Sequence, residues 1–306
     1  MNHTETVITV QNLHKRYGDH IAVEDISFEV KRGEIFGIIG PNGAGKTTTV
    51  ESIIGLRQPD GGRIQLLGRD PQANSQAISQ RIGIQLQQAN IPDRMKVWEA
   101  LDTFASFYEH TIPWEPLLEQ WGLTEKRDTY FDKLSGGQKQ RLFIALALLN
   151  DPEIVFLDEL TTGLDPQARR ATWKLVEAIR DQGKTVVLVT HFMDEAQVLC
   201  DRMAIIDHGR VVALDTPQAL IDSISNETRV IFAAPQTFDP TSLHHVDGVT
   251  NVAQENGHII THGRGPLLVN IILALHEHGI TPTDIRTEQP DLEDVFIALT
   301  GHNIRD

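Results

Sequence analysis

Gly40-Pro41-Asn42-Gly43-Ala44-Gly45-Lys46-Thr47 sets three glycines, a lysine and a hydroxyl within eight consecutive residues. This spacing matches the phosphate-binding loop, in which glycines let successive backbone N–H groups wrap phosphate oxygens. A helix opening at Gly45 adds its positive N-terminus, Lys46 reaches the outer phosphates, and the Thr47 hydroxyl suits Mg²⁺, with Thr48 next in the same first turn. A chance match in a chain of this length is on the order of 1% at ordinary glycine frequencies. Two carboxylates, Asp158 and Glu159, end the apolar run Ile154-Val155-Phe156-Leu157. Ligands gather at strand ends of parallel sheets, so beside a phosphate loop Asp158 is a Mg²⁺ partner, directly or through water. Glu159 can orient and polarise an attacking water. Leu134-Ser135-Gly136-Gly137-Gln138 stands before an apolar helical run, which puts Ser135 and two unobstructed glycine amides at a helix start. That is a second potential anion site, although the same pattern also serves as a simple N-cap turn.

The elements that must hold these groups follow from patterning. Ile8–Leu13, His20–Val30 and Glu34–Ile39 read as strands between turn signals such as Tyr17-Gly18-Asp19, and the phosphate loop follows the third. A helix is expected from Gly45 to Leu56, then short strands at Arg63–Leu67 and Arg81–Leu86. Between about Ile91 and Lys133, Trp, Phe and Leu recur at helical spacings, broken by Pro113, Pro116 and Gly122, which predicts a helical insertion. Strands return at Glu153–Leu157, Thr185–Val189, Arg202–Ile206 and Arg210–Leu214. This alternation implies an α/β fold around a mainly parallel sheet. Asp165 as N-cap, Pro166 at the first helical position and Gly183 at the end delimit a helix over Pro166–Gln182. After about Ser223 the pattern resets: a strand at Arg229–Ala234, an Asn256-Gly257 hairpin, a helix Leu267–His278, an extended run Thr283–Thr287 and a final helix Leu292–Thr300. A small α+β domain therefore closes the chain.

Composition bounds the function. The chain has 306 residues, 40% of them hydrophobic and 23% charged, which excludes disorder throughout. Its net charge of −15 repels polyanions overall, so no nucleic acid is expected as a partner. The longest apolar runs, Leu142–Leu149 and Leu267–Leu275, fall short of the roughly 20 residues that cross a bilayer. The polar start Met1–Thr6 predicts no secretory signal, and the single Cys200 suits a reducing cytoplasm. More than half of the 13 histidines lie after residue 240, including His244-His245 and His276-x-His278. With no cysteine beside them and no zinc-type spacing, they read as solvated rather than as metal ligands.

Taken together, the phosphate loop, Leu134–Gln138, Asp158-Glu159, Gly163-Leu164-Asp165 and His191 appear in the order and spacing of the nucleotide-binding subunit of ATP-binding cassette (ABC) transporters. The resemblance covers residues 5–222 and implies a P-loop ATPase fold: a mixed sheet with a helical subdomain at about 91–150, followed by a small α+β accessory domain at 223–306. ATP and Mg²⁺ are the implied cofactors. By likeness, Gly40, Pro41, Asn42, Gly43, Ala44, Gly45, Lys46, Thr47 and Thr48 cradle the phosphates and Tyr17 stacks on adenine. Thr47, Asp158 and Gln87 attend Mg²⁺, Gln87 also sensing the membrane partner. Glu159 and His191 are the implied catalytic pair, His191 contacting the γ-phosphate. Ser135, Gly136, Gly137 and Gln138 would face the γ-phosphate held by a second copy, and Asp165 would lie in the loop that crosses between the two. Leu160 departs from the pattern, since a proline usually follows the glutamate.

Pro290–Gly301 resembles the tail of ATPase subunits from drug and antibiotic exporters, and its Leu292, Val295, Phe296 and Leu299 are expected to form one apolar helix face. The reading that results is a cytoplasmic ATPase, a homodimer or paired with another ATPase subunit. It would sit on the inner face of the cell membrane through separate integral membrane permease subunits and drive export. The alternative is a soluble ABC ATPase acting on ribosomes or DNA. Such proteins usually carry two cassettes or a long coiled coil, and this chain has one cassette and no sustained heptads.

Overall fold

Three short apolar runs decide the centre of the fold. A computed structural model describes residues 5–86, 90–224, 227–235, 238–255 and 257–302. In chain order the first elements are β1 (Thr6–Tyr17), β2 (His20–Lys31), β3 (Ile35–Ile39), α1 (Lys46–Ile53), β4 (Gly61–Leu66), α2 (Ser75–Ser79) and β5 (Ile82–Gln85). Next come α3 (Val97–Ala105), α4 (Trp114–Gln120), α5 (Gly136–Leu148), β6 (Ile154–Asp158), α6 (Pro166–Asp181) and β7 (Thr185–Thr190). The series continues with α7 (Met193–Leu199), β8 (Arg202–Asp207), β9 (Arg210–Asp215) and α8 (Pro217–Ile224). Every residue of β3, β6 and β7 is buried, so these strands are apolar throughout rather than alternating, as strands covered on both faces must be.

Strands β1 to β9 form one sheet in the order β4-β1-β2-β9-β8-β3-β7-β6-β5. From β5 to β8 all neighbours are parallel, whereas β8 with β9, β1 with β2 and β1 with β4 are antiparallel. The sheet is thus mixed, where strand and helix alternation alone predicts a mainly parallel one. The antiparallel pairs β1–β2 and β8–β9 come from the tight hairpins Gly18-Asp19 and His208-Gly209, too short to carry a crossover helix. The core gathers Ile8, Leu13, Ile26, Phe36, Ile38, Val50, Ile53, Phe156, Val187 and Ile206, all nearly or completely buried. Each such side chain contributes roughly 1.5–3 kcal/mol relative to exposure.

Helices α3 and α4, with two short 3-10 turns, occupy the stretch from about Ile91 to Lys133 whose spacings predict helix, and α5 follows it. Helix α6 starts where expected, the Asp165 carboxylate accepting from the Gln167 and Ala168 amides at 3.0 and 2.9 Å. Its buried Thr172, Val176 and Ile179 recur at helical spacing and face inward.

The chain falls into two compact units: one runs to Pro217 and takes in the chain's end from Leu299, the other is Gln218–Ala298. The second contains β10 (Thr228–Ala233), β11 (Val249–Glu255), β12 (His258–Gly263), α9 (Leu267–Glu277), β13 (Thr283–Glu288) and most of α10 (Leu292–Thr300). Its sheet is antiparallel with order β11-β12-β10-β13. Leu267, Ile271 and Leu275 of α9, four residues apart, pack with Val230, Phe232 and Ile259 of the strands. Pairing of Glu255 with His258 leaves the expected two-residue turn, whose Gly257 has φ +81°, while Asn256 lies outside the described residues. In α10, Leu292, Val295 and Phe296 are fully buried as their spacing predicts, and Arg229 of β10 bonds Asp294 at 3.0 Å. Leu299 departs from that face: it is 45% exposed, one turn beyond the buried segment.

Candidate functional site

Strand β7 lies between β3 and β6, parallel to both, so the carboxyl ends of all three strands open on one edge of the sheet. Registers Ile39↔Thr190 and Asp158↔Val189 bring the start of the phosphate loop, His191 and the carboxylates of Asp158 and Glu159 to the same level. Adjacent parallel strands therefore do what the distant sequence positions cannot, and converge three motifs in one place.

The loop after β3 needs its glycines. A Cβ on Gly45, whose φ is +100°, would meet the Ala22 carbonyl oxygen at 2.3 Å, and one on Gly40 would meet that of Ile206 at 2.1 Å. Nothing larger fits between the loop and the strands behind it. Helix α1 begins at Lys46, and among the described residues no side chain caps its N-terminus, so its first amides are not spent on a cap. The Lys46 ammonium is buried and donates to the carbonyls of Gly40 at 2.7 Å and Pro41 at 2.8 Å. Burial pushes its pKa down, while Glu159 and Asp158 pull it up.

Asp158, at the end of β6, is 3% exposed, and among the described residues its Oδ1 has no hydrogen-bond partner. Burial, aided by neighbouring Glu159 and opposed by Lys46, raises its pKa to about 6. A buried carboxylate oxygen without a donor among the described residues has the chemistry of a hard-cation ligand. Glu159 adopts φ +47° in the turn leaving β6, held by its amide on the Val189 carbonyl at 2.9 Å. That unusual backbone points its carboxylate at His191, Nδ1 to Oε1 being 3.2 Å. An ionised carboxylate only accepts, so Nδ1 carries the proton in this bond. Leu160, where a proline was expected, is completely buried.

A cavity of about 440 Å³ covers this edge, lined by Tyr17, His20, Ala22, Asn42, Gly43, Gly45, Lys46, Thr47, Thr48 and Glu159. Asp158 and His191 adjoin it as chain neighbour and hydrogen-bond partner of Glu159. Gly40 and Pro41 present their carbonyls to Lys46, and Ala44 is buried beneath, its carbonyl accepting from Gly209 N at 3.0 Å. Tyr17 ends β1 half-exposed at the rim, with the Arg57 guanidinium 5.2 Å and the Lys15 ammonium 5.5 Å from its ring. His20 and Ala22 were not singled out from sequence. The signal for His20 was present, because a two-residue Gly18-Asp19 turn pairs it directly with Tyr17.

Ser135, Gly136, Gly137 and Gln138 do not line this cavity. They form the start of α5, closed by a reciprocal cap: Gln138 N donates to Ser135 Oγ at 3.3 Å and Ser135 N to Gln138 Oε1 at 2.9 Å. Ser135 and Gly136 are exposed, and nothing approaches an added Cβ on Gly136 closer than 3.9 Å. Gln87 lies outside the described residues.

The sequence pattern of the family described as ABC transporter matches residues 23–162. "Nod factor export ATP-binding protein I" of Burkholderia pseudomallei strain 1710b is 43% identical, over 98% of this chain and 98% of that protein. This chain belongs to the ATP-binding subunits of ABC transporters. As a member of that ATPase family it binds and hydrolyses ATP. Proteins of the same description from Burkholderia lata and Sinorhizobium fredii are each 37% identical to this ABC subunit, over 98% and 99% of it and 98% and 88% of their own lengths. None of these three is named for drug or antibiotic export. Among solved structures, one described as the ATP binding subunit of an ABC transporter matches with TM-score 0.65 and 29% identity, covering 71% of this ABC subunit and 93% of that chain. The cbiO1 protein from Clostridium perfringens, described as part of the transporter complex cbiONQ, follows at TM-score 0.64 and 27% identity, covering 71% and 91%. Among the described residues no helix is long and apolar enough to cross a membrane.

Proposed function

We propose that two copies of this ABC subunit, or one copy and a related ATPase subunit, close head to tail on two ATP·Mg²⁺ and energise export through separate integral membrane permease subunits. The observation that carries the catalytic part is the Glu159–His191 pair beside the Lys46 cavity, with the exposed Ser135–Gln138 cap standing outside it. Loop amides and Lys46 bind the β and γ phosphates, and Tyr17 offers a flat face to adenine. Thr47 and Asp158 would hold Mg²⁺, which when bound neutralises charge on the transferred phosphoryl group. Glu159 takes the proton of the attacking water, and His191 holds that carboxylate in line. In its imidazolium form the second N–H of His191 is available to the γ-phosphate. The Gly136 and Gly137 amides of the second copy complete the cage around that phosphate.

The export part is supported by relatives, named for Nod factor export, that match nearly the whole chain. Cargo is selected by the permease, and this subunit lies on the inner face of the cell membrane through that partner. The drug and antibiotic exporters suggested by the tail remain a narrower reading of the same role. Affinity purification of the tagged chain from gently solubilised native membranes, with ATP and vanadate, tests the partner. A multi-span protein in near-equal amount is expected. Recovery only with ribosomes or DNA-associated proteins in the soluble fraction would overturn the transport reading and favour the soluble alternative.

A further inference from the structure

We propose that Asp207, His208 and His302 form a binding site for one divalent transition-metal ion, Zn²⁺ foremost, which fastens the end of the chain to the turn between β8 and β9. Among the described residues this is the one place where three such groups converge, their ligand atoms all within 4.8 Å of one another. It owes nothing to the histidines at 244–245 and 276–278 that stand out in the sequence. Asp207 Oδ2 lies 3.2 Å from His302 Nε2 and 3.8 Å from His208 Nε2. Ligands of a tetrahedral zinc ion, bound at roughly 2.0–2.2 Å, stand about 3.4 Å apart, so one edge of the site is already near its bound length.

The remaining movement falls on His208, whose side chain is 85% exposed and so meets little resistance. Its backbone is fixed. His208 at φ +45° and Gly209 at φ +73° make the two-residue turn between the paired Asp207 and Arg210. Gly209 is bonded on both sides, its amide to Ala44 O at 3.0 Å and its carbonyl to the amides of Glu24 at 2.9 Å and Asp25 at 3.1 Å. Asp207 is itself 8% exposed, and a carboxylate so placed between two imidazoles gains from a cation between them. The overall charge of −15 adds a general attraction.

Two imidazoles and one carboxylate select the metal class. Such a donor set suits Zn²⁺, Ni²⁺ or Cu²⁺, whereas Mg²⁺ and Ca²⁺ prefer oxygen alone. Water completes the fourth position. Because the turn is hydrogen-bonded to Ala44 of the phosphate loop, the ion braces the layer directly beneath that loop as well as the chain end.

The test is calorimetric titration of the nucleotide-free full chain with ZnCl₂ in excess Mg²⁺, beside hydrogen exchange of the peptide ending at His302. The expected result is one Zn²⁺ per chain, with exchange slowed on binding. His302→Ala and His208→Asn, the latter tolerant of positive φ, are expected to weaken zinc binding by roughly 10-fold or more and to leave exchange unslowed. Both positions lie outside the nucleotide cavity, so Mg²⁺-ATP turnover without zinc stays unchanged and reports intact folding. No zinc uptake, equal uptake by wild type and both variants, or uptake that leaves the tail's exchange unaltered would each overturn the proposal.

Discussion

The chain carries two helix N-termini of glycine-rich sequence, and they are built for opposite circumstances. The start of α1 is embedded: Lys46 is 5% exposed, the loop is pressed against Ala22 and Ile206, and among the described residues no side chain caps its amides and a buried Asp158 oxygen has no partner. The start of α5 is self-sufficient, since Ser135 and Gln138 cap one another and Gly136 stands in the open. An uncapped, walled end is a site that a ligand finishes; a capped, open end folds without one and offers its remaining amides to whatever surface arrives. On the proposed function the first would serve a nucleotide bound within the chain and the second a nucleotide bound by another chain.

The largest expected effects separate these roles. Glu159→Gln keeps the shape of the embedded site but removes the proposed base. Phosphate release is expected to fall on the order of 10²–10⁴-fold with ATP affinity nearly unchanged. Turnover within tenfold of wild type would sink Glu159 as the base. Gly136→Arg attacks the open end instead, where there is room for the side chain in a single copy. Turnover is expected to drop roughly 10²–10³-fold, while ATP binding and the melting temperature of the isolated subunit hold. A loss of ATP affinity equal to the loss of turnover would erase the distinction between the two ends.

Asp158 measures how strongly the embedded site departs from an ordinary surface. Burial raises its pKa to about 6 from 3.8, so the folded chain holds that proton more tightly than the unfolded one. The associated stability is present below pH 3.8 and lost as pH rises to about 6, at a cost of about 3 kcal/mol above that. Without nucleotide or Mg²⁺, Asp158→Asn is therefore expected to gain on wild type by that order in urea melts between pH 4 and 7. A difference independent of pH would mean that the carboxylate is not strained by its burial. Smallest is Tyr17→Ala, expected to weaken ATP binding by about 1 kcal/mol, the lower range for an aromatic ring on a base. Equal weakening of inorganic triphosphate would place Tyr17 on the phosphates rather than the base.

The embedded site was the more legible of the two because its chemistry is written in contiguous residues. Gly40–Thr48 and Asp158-Glu159 announce themselves, and fully apolar strands β3, β6 and β7 carry them to a common edge. Features that depend on pairing were harder to read. Strand β1 runs to Tyr17, but register shifts between Val10 and Leu13, Leu13 and Lys15, and Lys15 and Arg16 disrupt the two-residue alternation that marks a strand. His20 enters the cavity only because that strand and its short turn exist. Glu195 looks like any helical acid, yet it is completely buried and accepts from Trp173 Nε1 at 3.1 Å. Apolar spacing correctly put Leu292, Val295 and Phe296 inside but carried the stripe one turn too far, to Leu299. The cluster of Asp207, His208 and His302 joins a turn to a residue 94 positions away, which no local pattern records.

Whether the open end of one copy completes the embedded end of another is measured most directly by light scattering of Glu159→Gln on a sizing column, with and without ATP and Mg²⁺. The expected result is a monomer that becomes a dimer of twice 34.2 kDa on adding ATP, and that stays monomeric when Gly136→Arg is combined with it. A nucleotide-saturated monomer, or a dimer indifferent to Gly136→Arg, would contradict the head-to-tail site.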